Sequence, residues 1–407
     1  SAKVTEHADE LVTLEQRDCG KTTRQARAEV HALARTLELH AGACGRMESE
    51  ALSSAQDGHS VLTWREPLGV TAHLIPSTHP MPIFGRNVGA ALAAGNVCVV
   101  KPSANASLSL LRVAQLAAEA GLPAGALNIV TGYGHEAGDA LARHPGIDHL
   151  RFAGSRSVGT LILQAVADRH CPVALELGGK NPHIVFADAD LDAALPAIVH
   201  AILYNAGQSV AAASRLLVDA LIYEPLLERL GRAFETLRVG PATMDLDLGP
   251  LIHPRQQQRV WDFLSDAQVA GIPMVAQGQI VDEAPEAGFY QAPTLLRDVP
   301  PAHRLAQEDI AGPVLCAMPF EDEDHAIELA NTTHRYPAAG VWTRDAARAL
   351  RMAKRIHSRQ VFINHYDTGC SLGLPFGGFQ PGAYGHETGL EAANGFSTLK
   401  TVALRPG

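Results

Sequence analysis

Three short stretches place residues where chemistry is possible. In "LELGGKNP", residues 175–182, Glu176 lies between two leucines at the end of an apolar run, and an ionised carboxylate is costly to bury there. It therefore points into a cleft or carries a raised pKa, and both conditions suit a general base. A place on the solvent face of a half-buried strand is the competing reading. Gly178 and Gly179 then let the chain turn closely past a ligand. In "FAGSRSVG", Phe152 to Gly159, a predicted strand ends in Gly-Ser and a helix begins near Val158. Backbone N–H groups at such a start can hold a pyrophosphate, with Gly154 and Gly159 allowing close approach and Ser155 beside them, although Gly and Ser also serve as ordinary caps. In "VVKPS", Lys101 leaves the end of another strand, where it meets a ribose or phosphate or is simply a solvated lysine.

Each of these stretches ends a predicted strand, so a sheet has to position them. The first fifty residues read as helix, "ADELVTLEQRD" and "ARAEVHALARTLELHAGACGRM", with Gly20 punctuating between them. From "SVLTWREPLGVTAHLIP" onward strands alternate with helices: "GVTAHLI", "IFGRNVGAALAAG", "VCVVKP", "SLSLLRVAQLAAEAG", "ALNIVTG", "EAGDALARH", "IDHLRFAG", "VGTLILQAVADRH", "PVALELGG". Such alternation predicts a mostly parallel, doubly wound sheet with its ligand beyond the carboxyl ends of the strands. A second α/β segment runs from "NPHIVFADADLDAA" to "SRQVFINHYDTG"; a Gly/Pro-dense stretch follows, and "FSTLKTVALRP" reads as an edge strand. Two lobes with a cleft between them are expected.

Composition narrows the partners. The chain has 407 residues, 46% of them hydrophobic, with 33 basic against 43 acidic residues, a net charge of -10 and no basic block. Nucleic acid and anionic membrane surfaces are therefore poor candidates, and no apolar run approaches a membrane span. Six scattered cysteines, Cys19, Cys44, Cys98, Cys171, Cys316 and Cys370, form no CxxC pair and suit a reducing cytoplasm. The nineteen histidines show no HExxH or paired spacing, so no metal site is expected.

"REPLGV", "GNVCVVKPS", "FAGSRSVG", "LELGGKNPHIVFADADLDAA", "NAGQSVAAASRLLV", "EDIAGPVL" and "LPFGGFQPGAYGHETGLEA" occur in the order and approximate spacing of the aldehyde dehydrogenase superfamily. The chain resembles that superfamily over essentially its whole length. The resemblance implies an α/β fold with a Rossmann-type dinucleotide-binding domain (1–177, containing an oligomerisation hairpin at 49–66), a catalytic domain (178–380), and a final segment (381–407) that returns to the first domain and supplies an oligomerisation strand. It implies NAD or NADP as cofactor, an aldehyde as substrate, Glu176 as the water-activating base, and Lys101, Gly154, Ser155 and Gly159 as cofactor contacts. A homo-oligomer, or pairing with a partner aldehyde dehydrogenase subunit, is implied as well.

The resemblance breaks at the residue on which the family's reaction depends. A cysteine two residues after the Gly-Gln of "NAGQSVAAASR" attacks the aldehyde in the family, and that position is Val210 here. Valine has no lone pair to give, so the covalent step cannot begin there. Thr78, in "LIPSTHP", stands where most acid-forming members carry an oxyanion-stabilising asparagine; one such donor is worth about 3 kcal/mol. The Pro-Ser-Thr-x-Pro wording resembles the CoA-acylating branch, which usually lacks the "LELGGK" glutamate. Ala104 replaces a frequent ribose-binding glutamate, leaving NAD against NADP open, while Asp309 and Ala311 replace the glutamate and aromatic of the usual "EIFGP". Against the family pattern Ser1 falls well inside the usual sequence, so a complete cofactor pocket is not expected from these residues alone. Ser209 adjoins Val210 but reads as an unactivated hydroxyl pointing elsewhere, and Cys370 offers a loop thiol on the opposite wall of the expected substrate tunnel. Two functions are thus expected: NAD(P)-dependent aldehyde oxidation by ancestry, impaired or absent in this chain, or a catalytically silent pseudoenzyme subunit with an assembly role.

Overall fold

The structure, a computed structural model, describes residues 1–46, 50–53, 60–333, 336–367, 374, 383–384 and 391–405. Helices Ala8–Cys19 and Thr23–Ala43 open the chain. Gly20, left-handed at φ +71, ends the first, and the Thr22 hydroxyl caps the second by accepting from the Gln25 N–H. Ala26, Val30 and Leu33 make the helical-period apolar stripe of the longer helix, and Glu29 lies buried in the same stripe. That stripe faces helix Pro80–Ala93.

A six-stranded sheet follows the order 383–384, Val173–Leu177, His149–Gly154, Val70–Ile75, Val97–Pro102, Leu127–Ile129. Every pairing is parallel except that of 383–384 with Val173–Leu177. A seven-stranded sheet holds Met274–Gln277, Thr294–Leu296, Val314–Phe320, Arg215–Asp219, Pro182–Val185, Tyr336–Trp342 and Ser358–Ile363 in that order, parallel except for its first strand. Its strands are continuous apolar runs such as Leu216–Val218 and Val314–Ala317, as a sheet buried on both faces requires. The fold is that of an α/β protein with a Rossmann-type parallel sheet and a second, mixed sheet.

A third, antiparallel sheet of 50–53, Ser60–Pro67 and Ser397–Leu404 stands apart from both. Its final strand lies at an edge, and Leu62 and Trp64 of the middle strand and Leu399 and Leu404 of the final one are exposed. No helix is long and apolar enough to cross a membrane among the described residues.

Candidate active site

A cavity of about 680 Å³ lies where the carboxyl end of the six-stranded sheet faces the seven-stranded one. Gly154, Ser155, Arg156 and Ser157 form one wall; Gly178, Gly179 and Lys180 a second; Thr78, Gln208 and Val210 a third; Asp309 and Ala311 close it. Of the residues singled out from sequence, Gly154 and Ser155 therefore share one space with Gly178, Gly179, Val210, Thr78 and Asp309. Lys101 ends strand Val97–Pro102, two strands from Gly154, and is not among the lining residues. Burial there holds its ammonium below the usual lysine range.

The Gly154 turn has the chemistry of an anion seat. Strand His149–Gly154 ends on Gly154 at φ +159, where an added Cβ would lie 2.5 Å from the Phe152 ring. Ser155 caps helix Arg156–Ala167, its hydroxyl accepting from the Val158 N–H. The first-turn amides of that helix have no partner within the helix and so present partial positive charge. At Gly159 a Cβ would come within 2.8 Å of Leu177, so the glycine lets helix and strand approach each other. This glycine-lined cradle fits a dinucleotide pyrophosphate.

Opposite the cradle, the chain leaves helix Leu191–Leu203 through a strained turn. Asn205, Ala206 and Gly207 are consecutive left-handed residues at φ +50, +51 and +74, and a non-glycine residue held in such a state costs about 1–3 kcal/mol. Tertiary contacts enforce it. Asn205 Nδ2 donates to the Thr78 carbonyl (2.9 Å), Gln208 Nε2 to the Asn205 carbonyl (2.9 Å), and Gln208 Oε1 accepts from the Ile252 N–H (3.0 Å). Gly207 lies against the Gly312 backbone so closely that a Cβ would fall 2.3 Å from it. Beyond the turn, Asn181 Nδ2 donates to the carbonyls of Val210 (2.8 Å) and Ala212 (2.9 Å). The half-buried Val210 side chain is thus presented to the cavity on a rigid platform.

Glu176 sits in the last part of strand Val173–Leu177, 3% exposed. Sequence reading left two ways to tolerate that burial, and the structure supplies a third: Arg86, from helix Pro80–Ala93, pairs with the carboxylate. The carboxylate is held there and is not among the residues lining the cavity. Buried Lys180 and half-buried Asp309 stand on the cavity wall nearby. Burial pushes the Lys180 amine down and the Asp309 carboxyl up, and each opposes the shift of the other. Lys180 Nζ has no hydrogen-bond partner among the described residues.

Behind the Val210 platform runs a chain of buried polar groups. Ser209 Oγ is 2.8 Å from His79 Nε2, and His79 Nδ1 is 2.9 Å from Glu29 Oε1. Lys21 Nζ donates to Glu29 Oε2 (2.6 Å) and to Glu15 Oε1 (2.7 Å), while the Tyr204 hydroxyl donates to Glu29 Oε1 (3.2 Å). Burial opposes ionisation of Glu29, but Lys21 and His79 outweigh it and pull the carboxyl down to about 2. Ser209 does point away from Val210, and its hydroxyl also accepts from the Ala211 N–H (3.1 Å). Cys370 lies outside the described residues. Among the described residues no cluster of three or more His, Cys, Asp or Glu could hold a metal ion.

Comparison with known proteins decides the family. The aldehyde dehydrogenase family model matches residues 1–402. This chain belongs to the aldehyde dehydrogenase family. Its relatives include the NADP/NAD-dependent aldehyde dehydrogenase PuuC of Escherichia coli, 38% identical over 97% of this chain and 79% of that protein. A candidate aldehyde dehydrogenase from Burkholderia cenocepacia is 62% identical, with a TM-score of 0.97 over 100% of this chain and 85% of that one. Betaine aldehyde dehydrogenase from Staphylococcus aureus, solved in complex with NAD+, is 29% identical with a TM-score of 0.95, covering 100% of this chain and 83% of that one.

Within this aldehyde dehydrogenase site, sequence reading missed Arg86, His79 and Glu29. Glu29 had a visible signal, an acidic residue inside an otherwise apolar helical stripe. His79 follows Thr78 directly, so the oxyanion position marked its neighbour. Arg86 carried no local signal, because its partner lies ninety residues away.

Proposed function

We propose that this chain keeps the nucleotide cradle and aldehyde cavity of its family but does not oxidise aldehydes through the residue at position 210. The observation that carries this reading is Val210 itself, an aliphatic side chain on a rigid turn facing the cavity. A carbonyl carbon brought there meets no donor, so the tetrahedral adduct from which hydride departs does not form at that position. When bound, NAD or NADP supplies the hydride acceptor. The protein's part is to seat the pyrophosphate at Gly154, Ser155 and Gly159, with Lys101 set for the ribose or phosphate side. Thr78 would donate a hydroxyl to a developing oxyanion, and Glu176 would orient water once released from Arg86. NAD+ in the Staphylococcus aureus structure and the NADP/NAD dependence in the name of the Escherichia coli relative support a nicotinamide dinucleotide, with neither form favoured.

The reading also includes a silent subunit with an assembly role, favoured by the exposed apolar residues Leu62, Trp64, Leu399 and Leu404 on a three-stranded sheet that ends in an edge strand. Such an edge can pair with a second copy or with a related subunit. A reducing, cytoplasmic setting suits the free cysteines among the described residues. The test combines two measurements on the unaltered protein. Fluorescence titration with NAD+ and NADP+ is expected to give saturable binding, and a panel of short, long and aromatic aldehydes is expected to give no reduced cofactor. Steady aldehyde-dependent reduction would overturn the proposal.

A further inference from the structure

Lys180 gives the cavity an amine that neither seats the nucleotide nor activates water. It follows Gly178 and Gly179 after strand Val173–Leu177, and all three line the space of about 680 Å³. The residue is 1% exposed, and its Nζ has no hydrogen-bond partner among the described residues. An ammonium buried without acceptors is costly, and its surroundings add to the cost. Arg215 packs against the same segment, its guanidinium donating to the carbonyls of Lys180 (3.0 Å), Leu329 (3.0 Å) and Ala330 (2.9 Å). Burial, helped by Arg215 and Arg259, favours the uncharged amine over the ammonium that Cys316 and Asp309 would stabilise. Desolvation beside another cation is a setting in which lysine attacks carbonyl carbon.

A group able to move protons stands on the same wall. Asp309 lines the cavity, and its Oδ1 accepts from the Ala311 N–H (3.0 Å). Its Oδ2 uses the room left by Gly178, where a Cβ would lie 2.7 Å away. Burial holds this carboxyl above the ordinary aspartate range, which makes it a better proton acceptor than a surface aspartate. Among the described lining residues Lys180 is the sole amine, and none supplies a thiol or an imidazole. With Val210 at the turn, no sulfur there competes for a carbonyl.

We propose that Lys180 captures an aldehyde in the cavity as a reversible imine, with Asp309 moving the protons. The proposal rests on the reading of this space as an aldehyde cavity, but not on the inertness of position 210. At the start Lys180 is the free amine and Asp309 the acid. Rotation about the four-carbon stem brings Nζ to the aldehyde carbon, the C–N bond forms, and the carbonyl oxygen takes the Asp309 proton. The carboxylate then removes one proton from Nζ, leaving a neutral carbinolamine. Asp309 returns that proton to the hydroxyl, the C–O bond breaks, and water departs as the nitrogen lone pair closes the C=N bond. One amine, one carboxylic acid and one aldehyde become one protonated imine, one carboxylate and one water. No oxidation state changes, and no nicotinamide takes part.

The test incubates the full chain at pH 7 with propanal or benzaldehyde and sodium cyanoborohydride, without nicotinamide, and maps mass gains by peptide mass spectrometry. Lys3 and Lys400, with side chains 38% and 50% exposed, report the rate of an ordinary amine in the same sample. Tagging at Lys180 is expected to be at least ~10-fold faster, because the free-amine fraction rises about tenfold for each pKa unit lost. It is also expected to saturate with aldehyde concentration, while Lys3 and Lys400 respond linearly. Lys180→Met, with its urea midpoint checked, is expected to leave only the surface tags. A Lys180 tagged no faster than Lys3 and Lys400 in the unaltered protein overturns the proposal whether or not the variant folds. Saturation-transfer NMR of the same aldehyde separates the two claims. Binding without a tag at Lys180 overturns the imine alone, and neither binding nor tag overturns the aldehyde cavity with it.

Discussion

Val210→Cys restores the family's nucleophile, and the structure sets what should follow. The exchange removes one methyl from a half-buried side chain on a turn held by Asn181, Asn205 and Gln208, so its cost in stability should stay below about 1.5 kcal/mol. A thiol at its ordinary pKa of about 8.5 is about 3% thiolate at neutral pH, enough to attack an aldehyde on a millisecond-to-second scale. Hydride transfer then needs only the cofactor, but hydrolysis of the resulting thioester needs a base. Glu176 is paired with Arg86, and a positioned general base contributes about 10² to 10⁴ in rate. Rapid-mixing absorbance should therefore show a burst approaching one reduced cofactor per chain, followed by a phase at least ~10² slower. Adding Arg86→Gln should quicken the slow phase, at a stability cost of about 3–5 kcal/mol for breaking a buried pair, so both proteins need a urea midpoint beside the kinetics. Turnover at a constant rate from the first cycle, indifferent to Arg86→Gln, would refute the idea that the ion pair restrains Glu176. No burst at all, despite bound nucleotide, would move the block from Val210 to Thr78 and Asp309.

Three further outcomes follow from the same contacts. Lys21→Met leaves the carboxylates of Glu15 and Glu29 buried without their shared cation and should destabilise by about 3–5 kcal/mol, read as a lower urea midpoint and partly recovered by Glu15→Gln. Burial holds His149 and His183 down at about 3, so the native state refuses protons that the unfolded chain takes up below its ordinary pKa of about 6.5. Stability should therefore fall as pH drops below that value, by about 1.4 kcal/mol for each of the two at pH 5.5, whereas Glu29 adds acid sensitivity only between about 4.5 and about 2. Unchanged urea midpoints at pH 7.5 and 5.5 would contradict this. Gly207→Ala places a Cβ 2.3 Å from the Gly312 backbone at φ +74 and should abolish the burst of a Val210→Cys background, a result checked in the same rapid-mixing assay.

What the sequence made legible was local. The alternation of strands and helices, the Gly20 break, the Gly154–Ser155 turn and the edge strand at the end of the chain each announce themselves within a dozen residues, because period and turn chemistry are properties of neighbours. Glu176 was also visible, since a carboxylate inside an apolar strand demands an explanation. Its partner was not, because the arginine comes from a helix whose own pattern only reports which face is buried. The same holds for Ser209, whose partner His79 lies 130 residues away and is itself bonded to Glu29 of helix Thr23–Ala43. Lys101 shows the converse limit. The sequence placed it correctly at a strand end, but distance across the sheet keeps it off the cavity wall.

The most direct test of the central claim is mass spectrometry of the unaltered chain, quenched during incubation with an aldehyde and NAD+ or NADP+, with cofactor absorbance followed in parallel. The account predicts an unmodified mass for the peptide carrying Val210 and a flat absorbance trace. A covalent adduct that accumulates in step with cofactor reduction, on any residue, would contradict it.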